Sequence, residues 1–219
     1  MKPHNEVRRV VVVGASGFGR ESLDVLDAMI SGGEPLDVVG VVDDAPSEEN
    51  LLRLRQRGVP YIGTIDEGLS SLDSNCVYVL GIGNPAVKPD LVSRIEAHGI
   101  FPMKAVHPTA IIGVNTEVSP GVVICAGAVI STNVQLGDYV HINPNSTIGH
   151  DAVIDSFVSV NPGAVVSGEV KIESCTLIGA SATVLQGLTV HEHAVVGACA
   201  CVTKDVPAYT TVKGIPARI

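Results

Sequence analysis

Two hydrophobic rhythms divide the chain. In the first hundred residues, short apolar runs alternate with segments of helical spacing. Val10 to Val13 is a β-branched run of the kind a strand buried on both faces shows. It leads straight into Gly14-Ala-Ser-Gly-Phe-Gly19. Leu23, Leu26 and Ile30 then recur on one helical face, and Ser31-Gly-Gly33 closes that helix. Val38 to Val42 predicts a second strand ending on Asp43-Asp44, and residues 48–58 a second helix. Val77 to Leu80 predicts a third strand running into Gly81-Ile-Gly-Asn84, and residues 89–98 a third helix. The order is βαβαβα, an α/β Rossmann-like unit of about three parallel strands with flanking helices.

From Val106 the rhythm changes. Every sixth residue from Val106 to Val202 is Val, Ile or Leu, without a miss. The residue four places further on is mostly small and always apolar or hydroxylated, as at Ala110, Thr116, Val122, Ala128 and Ser146. Gly, Asn or Asp often follows the aliphatic residue directly, as at Gly113, Asn143, Gly149 and Asp155. Repetition at a fixed short period is the signature of a solenoid, and a six-residue period predicts a parallel β-helix. One large and one small residue per hexad fill a narrow interior, and Gly, Asn and Asp are expected at its tight corners. The expected division is residues 1–104 for the Rossmann-like domain and 105–219 for the β-helix with a short tail.

Composition narrows the function classes. The 219 residues are 46% hydrophobic and 17% charged, so a sizeable core is available and disorder is excluded as the main state. No apolar run approaches the ~18 residues of a membrane helix, and the opening from Met1 to Gly14 has too short an apolar stretch for a signal peptide. Net charge is −9, aromatics are 3%, and there is no Trp. Nucleic-acid binding wants a basic face and stacking rings, so no nucleic-acid partner is expected. The five Cys include no CxxC pair and read as free thiols in a reducing cytoplasm.

Ligands on an open parallel sheet bind at the carboxyl ends of its strands. Here those ends carry Gly14, Ser16 and Gly17, then Asp43 and Asp44, then Asn84. Glycines let a backbone approach phosphates at a helix N-terminus. The spacing is GxxGxG and not GxGxxG, so a dinucleotide is a poor fit. A mononucleotide or sugar nucleotide suits a unit of this size better.

Four segments carry a family resemblance. They are the Gly-Ala-Ser-Gly-Phe-Gly turn, Asp43-Asp44, the run from His141 through Asn143 and Gly149 to His150-Asp151, and Gly214-Ile-Pro-Ala-Arg218. Together they resemble the bacterial sugar O-/N-acyltransferases of the hexapeptide-repeat superfamily, in the branch of sialic acid O-acetyltransferases and nucleotide-amino-sugar N-acetyltransferases. The resemblance implies a left-handed parallel β-helix of about six triangular coils, 18 residues each, and a homotrimer with active sites between subunits. It also implies acetyl-CoA as acyl donor and no metal.

Residue by residue, the resemblance makes His150 the general base and Asp151 the acid that orients it. An imidazole is suited to taking a proton near neutral pH. Neighbours on a regular strand point to opposite faces, so Asp151 can serve His150 only from a corner. Asn143 and Ser159 match acceptor-side positions; some relatives carry a second His where this chain has Ser159. Gly168 lies one 18-residue coil beyond His150, and its amide would polarise the acetyl carbonyl. Ala180 and Ala198 match positions that line the pantetheine arm. Lys213 and Arg218, with Lys204, are candidates for CoA phosphates.

The expected function is acetyl-CoA-dependent N-acetylation of a nucleotide-linked amino sugar by direct transfer. O-acetylation of a sialic-acid-like sugar is the alternative, and a non-catalytic sugar-nucleotide-binding scaffold a further one. A zinc enzyme on the same scaffold would need three converging His. The nearest candidates, His141 and His150, are nine apart with no third in phase. Of the remaining histidines, His4, His107 and the His191–His193 pair are expected to be incidental.

Overall fold

The computed structural model describes residues 7–73 and 75–219. His4 lies outside them.

The front domain is a four-stranded parallel sheet in the order β2-β1-β3-β4. Its elements are β1 (Arg8–Val13), α1 (Gly17–Ser31), β2 (Leu36–Val42), α2 (Glu48–Arg57), α3 (Ile65–Ser70), β3 (Val77–Leu80), α4 (Lys88–Glu96) and β4 (Phe101–Pro102). The valine run of β1 is fully buried because it divides its side chains between two layers. Val10 and Val12 pack with Leu23, Leu26 and Leu54 of α1 and α2. Val11 and Val13 pack with Ile65, Leu69, Val92 and Ile95 of α3 and α4. The sequence reading passes over α3, although its start was legible. Thr64 caps it, and Glu67 three residues on returns the bond, which is a capping box.

From Ala105 the chain winds as a parallel β-solenoid with two-residue strands. Three sheets of six or so short strands form a triangular prism. The first face carries Val123–Ile124, His141–Ile142, Ser159–Val160 and Leu177–Ile178. The second carries Ile111–Ile112, Val129–Ile130, Thr147–Ile148, Val165–Val166 and Thr183–Val184. The third carries Glu117–Val118, Gln135–Leu136, Val153–Ile154 and Lys171–Ile172. Strands pair in register with partners one coil away, as His141 with Ser159 and Thr147 with Val165. The second residue of each pair points inward. From Ile124 to Val202 these aliphatics are at most 1% exposed and form one continuous core with Ala128, Ala152, Ala164 and Ala182.

The corners differ from expectation in one respect. The left-handed backbone position is the fourth of every hexad from Asn115 to Cys199, at residues such as Asn133, Tyr139, Asp151 and Phe157. The second position, where Gly, Asn and Asp were noted, is where one coil stacks on the next. A Cβ on Gly149 would stand 2.4 Å from the Gly168 nitrogen, and one on Gly179 2.6 Å from that of Ala198. Close approach between coils, rather than turn geometry, explains those glycines.

The front domain sits on the first face. Phe18 stacks on His141 with ring centroids 4.3 Å apart. Ser159 Oγ donates to the Gly83 carbonyl at 3.0 Å, and Lys88 Nζ to the Tyr139 carbonyl at 3.1 Å. Tyr78 and Tyr139 share a hydroxyl–hydroxyl bond of 2.7 Å. Ala105, Val123 and Cys125 belong to the same apolar cluster as α1. No described helix is long and apolar enough to cross a membrane.

Candidate active site

His150 and Asp151 occupy the third and fourth positions of a hexad, at the corner between the second and third faces. Asp151 has φ 60°, the left-handed conformation. This turn swings its side chain to the same side as its neighbour's, which a strand would forbid. His150 Nδ1 and Asp151 Oδ2 are 2.7 Å apart. Both side chains are about half exposed. With the carboxylate accepting a hydrogen bond from Nδ1–H, the neutral ring keeps its proton there and leaves Nε2 as the basic nitrogen. The amide of Asn133 holds the Asp151 carboxyl below the usual carboxylate range, with His150 as the second contributor.

Gly168 lies under the imidazole. A Cβ there would stand 2.6 Å from both Cε1 and Nε2 of His150. The ring therefore rests against the bare Gly168 backbone, one coil on. The Gly168 N–H donates to no group among the described residues. A basic nitrogen and an open amide donor thus share one corner, the pairing that acyl transfer requires.

Glu169 was missed in the sequence. It follows Asp151 by one coil in the same left-handed column, so its 18-residue offset was the available signal. His150, Asp151 and Glu169 each place a ligand atom within 4.8 Å of the others, all at the surface. His141 does not join them. It is fully buried on the first face against Phe18, and neither ring nitrogen has a hydrogen-bond partner among the described residues. Burial pushes its imidazole well below the usual histidine range.

Asn143 and Ser159 lie on the first face, not beside the base. Asn143 is 5% exposed and donates through Nδ2 to the Val160 carbonyl at 2.9 Å. Ser159 is buried beneath the Gly81–Asn84 loop. Ala180 and Ala198 stack one coil apart at the corner between the first and second faces. Lys213 and Arg218 exchange backbone hydrogen bonds of 2.9 and 3.0 Å near the solenoid's far end. Arg218 also lines a surface cleft of about 500 Å³ with Lys204 and Ile219.

In the front domain the two aspartates brace loops. Asp43 Oδ2 accepts from Ala15 N at 2.8 Å, and Oδ1 from Ala45 N at 2.9 Å. Asp44 pairs with Arg94 at 2.5 Å and accepts from Ile65 N at the start of α3. The Arg94 guanidinium holds its carboxyl below the usual range. Ser16, Gly17, Gly83 and Asn84 are exposed where β1 and β3 end side by side. The glycines of the turn have different reasons to be there. Gly14 has φ 111°, and a Cβ on Gly19 would fall 1.8 Å from the Gly14 carbonyl oxygen. A Cβ on Gly17 would meet nothing within 4 Å. Packing demands Gly14 and Gly19 but not Gly17, so Gly17 leaves an open face at the N-terminus of α1.

Residues 9–95 match the PglD N-terminal domain family. Solved structures similar along nearly the whole chain include the acetyltransferase domain of PglB from Neisseria gonorrhoeae, in complex with acetyl coenzyme A. It is 28% identical, with a TM-score of 0.81 and coverage of 96% of this chain and 98% of that one. A histidine-to-asparagine variant of perosamine N-acetyltransferase from Caulobacter crescentus, in complex with CoA and GDP-perosamine, is 26% identical. Its TM-score is 0.85, covering 96% and 95% of the two chains. WeeI from Acinetobacter baumannii is 28% identical, with a TM-score of 0.83 and coverage of 96% and 98%. No curated protein matches the sequence. With these matches the expected fold holds: an N-terminal α/β region followed by a left-handed β-helix of about six coils, as in the hexapeptide-repeat acetyltransferases. The chain is an acyltransferase by its similarity, along nearly its whole length, to acetyltransferases of that class.

Proposed function

We propose that this acyltransferase moves the acetyl group of acetyl-CoA onto the amine of a nucleotide-linked amino sugar, with His150 as general base. The observation that carries the reading is the His150–Asp151 pair at 2.7 Å, with its ring set over the backbone of Gly168. The similarity to an enzyme solved with CoA and GDP-perosamine supports both substrates.

In this reading the sugar nitrogen attacks the thioester carbonyl as His150 Nε2 takes its proton. The carbon–sulfur bond breaks, and the amide product and free CoA thiol leave, the thiolate taking the proton back from the imidazolium. Asp151 fixes the ring tautomer and offsets the imidazolium charge while it exists. The Gly168 amide faces the carbonyl oxygen as negative charge gathers on it. Nothing in the sequence of steps needs a covalent enzyme nucleophile or a metal.

The front domain would take the nucleotide at Ser16, Gly17 and Asn84, where Gly17 leaves room for phosphate at the start of α1. Asp43 and Asp44 would shape that site through the loops they hold. Asn143 and Ser159 would act on the acceptor side through the first face. Ala180 and Ala198 would line the pantetheine arm, with Lys213 and Arg218 toward the CoA phosphates.

The assembly in this reading is a homotrimer. Among the described residues from 105 to 202, every exposed large hydrophobic lies on the second face or its trailing corner: Ile111, Ile112, Val114, Val129, Val165 and Leu185. His150 sits at the edge of that face. Covering the face with a second copy would put the base at a subunit boundary.

The test is a mass-spectrometric transfer assay with acetyl-CoA and a panel of UDP-, GDP- and dTDP-linked amino sugars beside free sialic acids. Acetylation of an amino sugar that disappears in His150→Ala is the expected result. Acetylation of a sialic acid alone would make this an O-acetyltransferase. Failure to bind CoA would leave a sugar-nucleotide-binding scaffold.

A further inference from the structure

We propose that Asn133, backed by Asn115, is a positioning residue that holds the Asp151 carboxylate in the orientation needed to engage His150 Nδ1. The inference rests on reading His150 as the base. At the corner between the second and third faces, the fourth hexad positions form a column, each residue 18 after the last. Asn115 Nδ2 donates to Asn133 Oδ1 at 3.2 Å. Asn133 Nδ2 donates to Asp151 Oδ1 at 2.9 Å. Asp151 Oδ2 meets His150 Nδ1 at 2.7 Å. The run has one direction: each amide donates toward the catalytic coil, and each carboxylate oxygen receives one partner.

Asparagine tolerates left-handed backbone, which alone would account for it at such a corner. The corner between the third and first faces shows that the turn does not require it. There the same position holds Tyr139, Phe157, Cys175 and His193, with φ of 57°, 66°, 57° and 55°. Among the described residues only one corner builds an unbroken amide relay onto a carboxylate, and it is the one that carries His150. Glu169 gives the relay a task. Its carboxylate lies within 4.8 Å of the ligand atoms of His150 and Asp151. Repulsion from Glu169 would turn Asp151 aside unless its outer oxygen is held. Hydrogen-bonded second partners of this kind fix the tautomer and aim of a working histidine.

Two variants separate this role from corner geometry. Asn133→Gly removes the amide but keeps a residue at home in this turn, since Gly121, Gly127 and Gly163 occupy the same position elsewhere with φ of 71°, 68° and 68°. Asn133→Asp keeps the shape and replaces the donor with an acceptor. Nitrogen-15 NMR of the histidine-labelled full chain reads the His150 tautomer without any substrate. The unaltered chain should show the Nδ1–H form. Both variants should populate the Nε2–H form and lose about tenfold in kcat, with KM for both substrates and thermal stability unchanged. The Asp151 carboxyl should titrate higher in Asn133→Gly. A tautomer and kcat unchanged in both variants would overturn the proposal. A tautomer change in a chain that transfers no acetyl group would overturn the transferase reading instead and leave the relay standing.

Discussion

The imidazole of His150 lies so close over Gly168 that a single methyl group on the glycine would come within 2.6 Å of Nε2. The two residues are one coil apart, so their contact is a property of the stacked solenoid. Gly168 has no left-handed backbone to protect. Gly168→Ala should therefore fold normally while pushing the ring off its seat. Displacement of a reacting group by about 1 Å can cost on the order of 100-fold in rate. Steady-state kinetics beside thermal melts should show a fall of about that size in kcat with little change in Tm. A fall in both would show that the glycine serves the fold.

Asp151→Asn tests the pair from the other side. The neutral amide can offer His150 either an oxygen or an N–H, so the ring tautomer is no longer defined. A loss of roughly 10–100-fold in kcat is expected, with KM for the acceptor nearly unchanged. Retention of full kcat would remove Asp151 from the mechanism.

The glycines of the first turn should separate cleanly. Gly19→Ala drives a Cβ into the Gly14 carbonyl and should cost about 2–3 kcal/mol of stability. Gly17→Ala meets nothing in the fold and sits at the start of α1, so stability should hold or rise slightly. Its effect should appear as a raised KM for the nucleotide sugar at constant kcat. An unchanged KM would place the nucleotide elsewhere.

His141 should make the chain acid-sensitive. Burial keeps its folded ring neutral, whereas the unfolded ring takes a proton near pH 6.5. Below that value the unfolded state binds one proton more than the folded state. Stability present above about pH 6.5 is then lost as pH falls, at up to about 1.4 kcal/mol per pH unit. Urea unfolding of the unaltered chain and His141→Phe at pH 8, 6 and 5 should show a smaller acid loss in the variant, whose ring can still stack on Phe18. Equal losses would clear His141 of the effect.

Val129 probes the bare second face. Val129→Lys places a charge at the middle of its exposed apolar stripe. Sedimentation equilibrium should find the unaltered chain trimeric and the variant smaller, with transfer activity reduced in step. A trimer that survives the charge would move the subunit contact to another face.

The two rhythms of the sequence determined the architecture because each reports a local, repeating constraint. Every coil must fill the same interior, so the hexad spacing is visible without any knowledge of neighbours. The 18-residue coil came with the family resemblance, not with the hexad spacing itself; the structure stacks Gly168 against His150 and sets His150 and Asp151 at the corner that their phase allowed. The capping box at Thr64–Glu67 was equally local and was overlooked. What the tertiary structure alone decided is how the two halves meet. His141 and Ser159 are register-paired strand residues of the repeat whose side chains point away from its core, but docking of the front domain buries them against Phe18 and Gly83. Asp43 and Asp44 end a strand as ligand-reading carboxylates do, yet their oxygens are taken up by Ala15, Ala45, Ile65 and Arg94. Hydrogen bonding is short-ranged and directional, so a side chain's partner depends on which loops pack beside it, and a one-dimensional pattern does not carry that information.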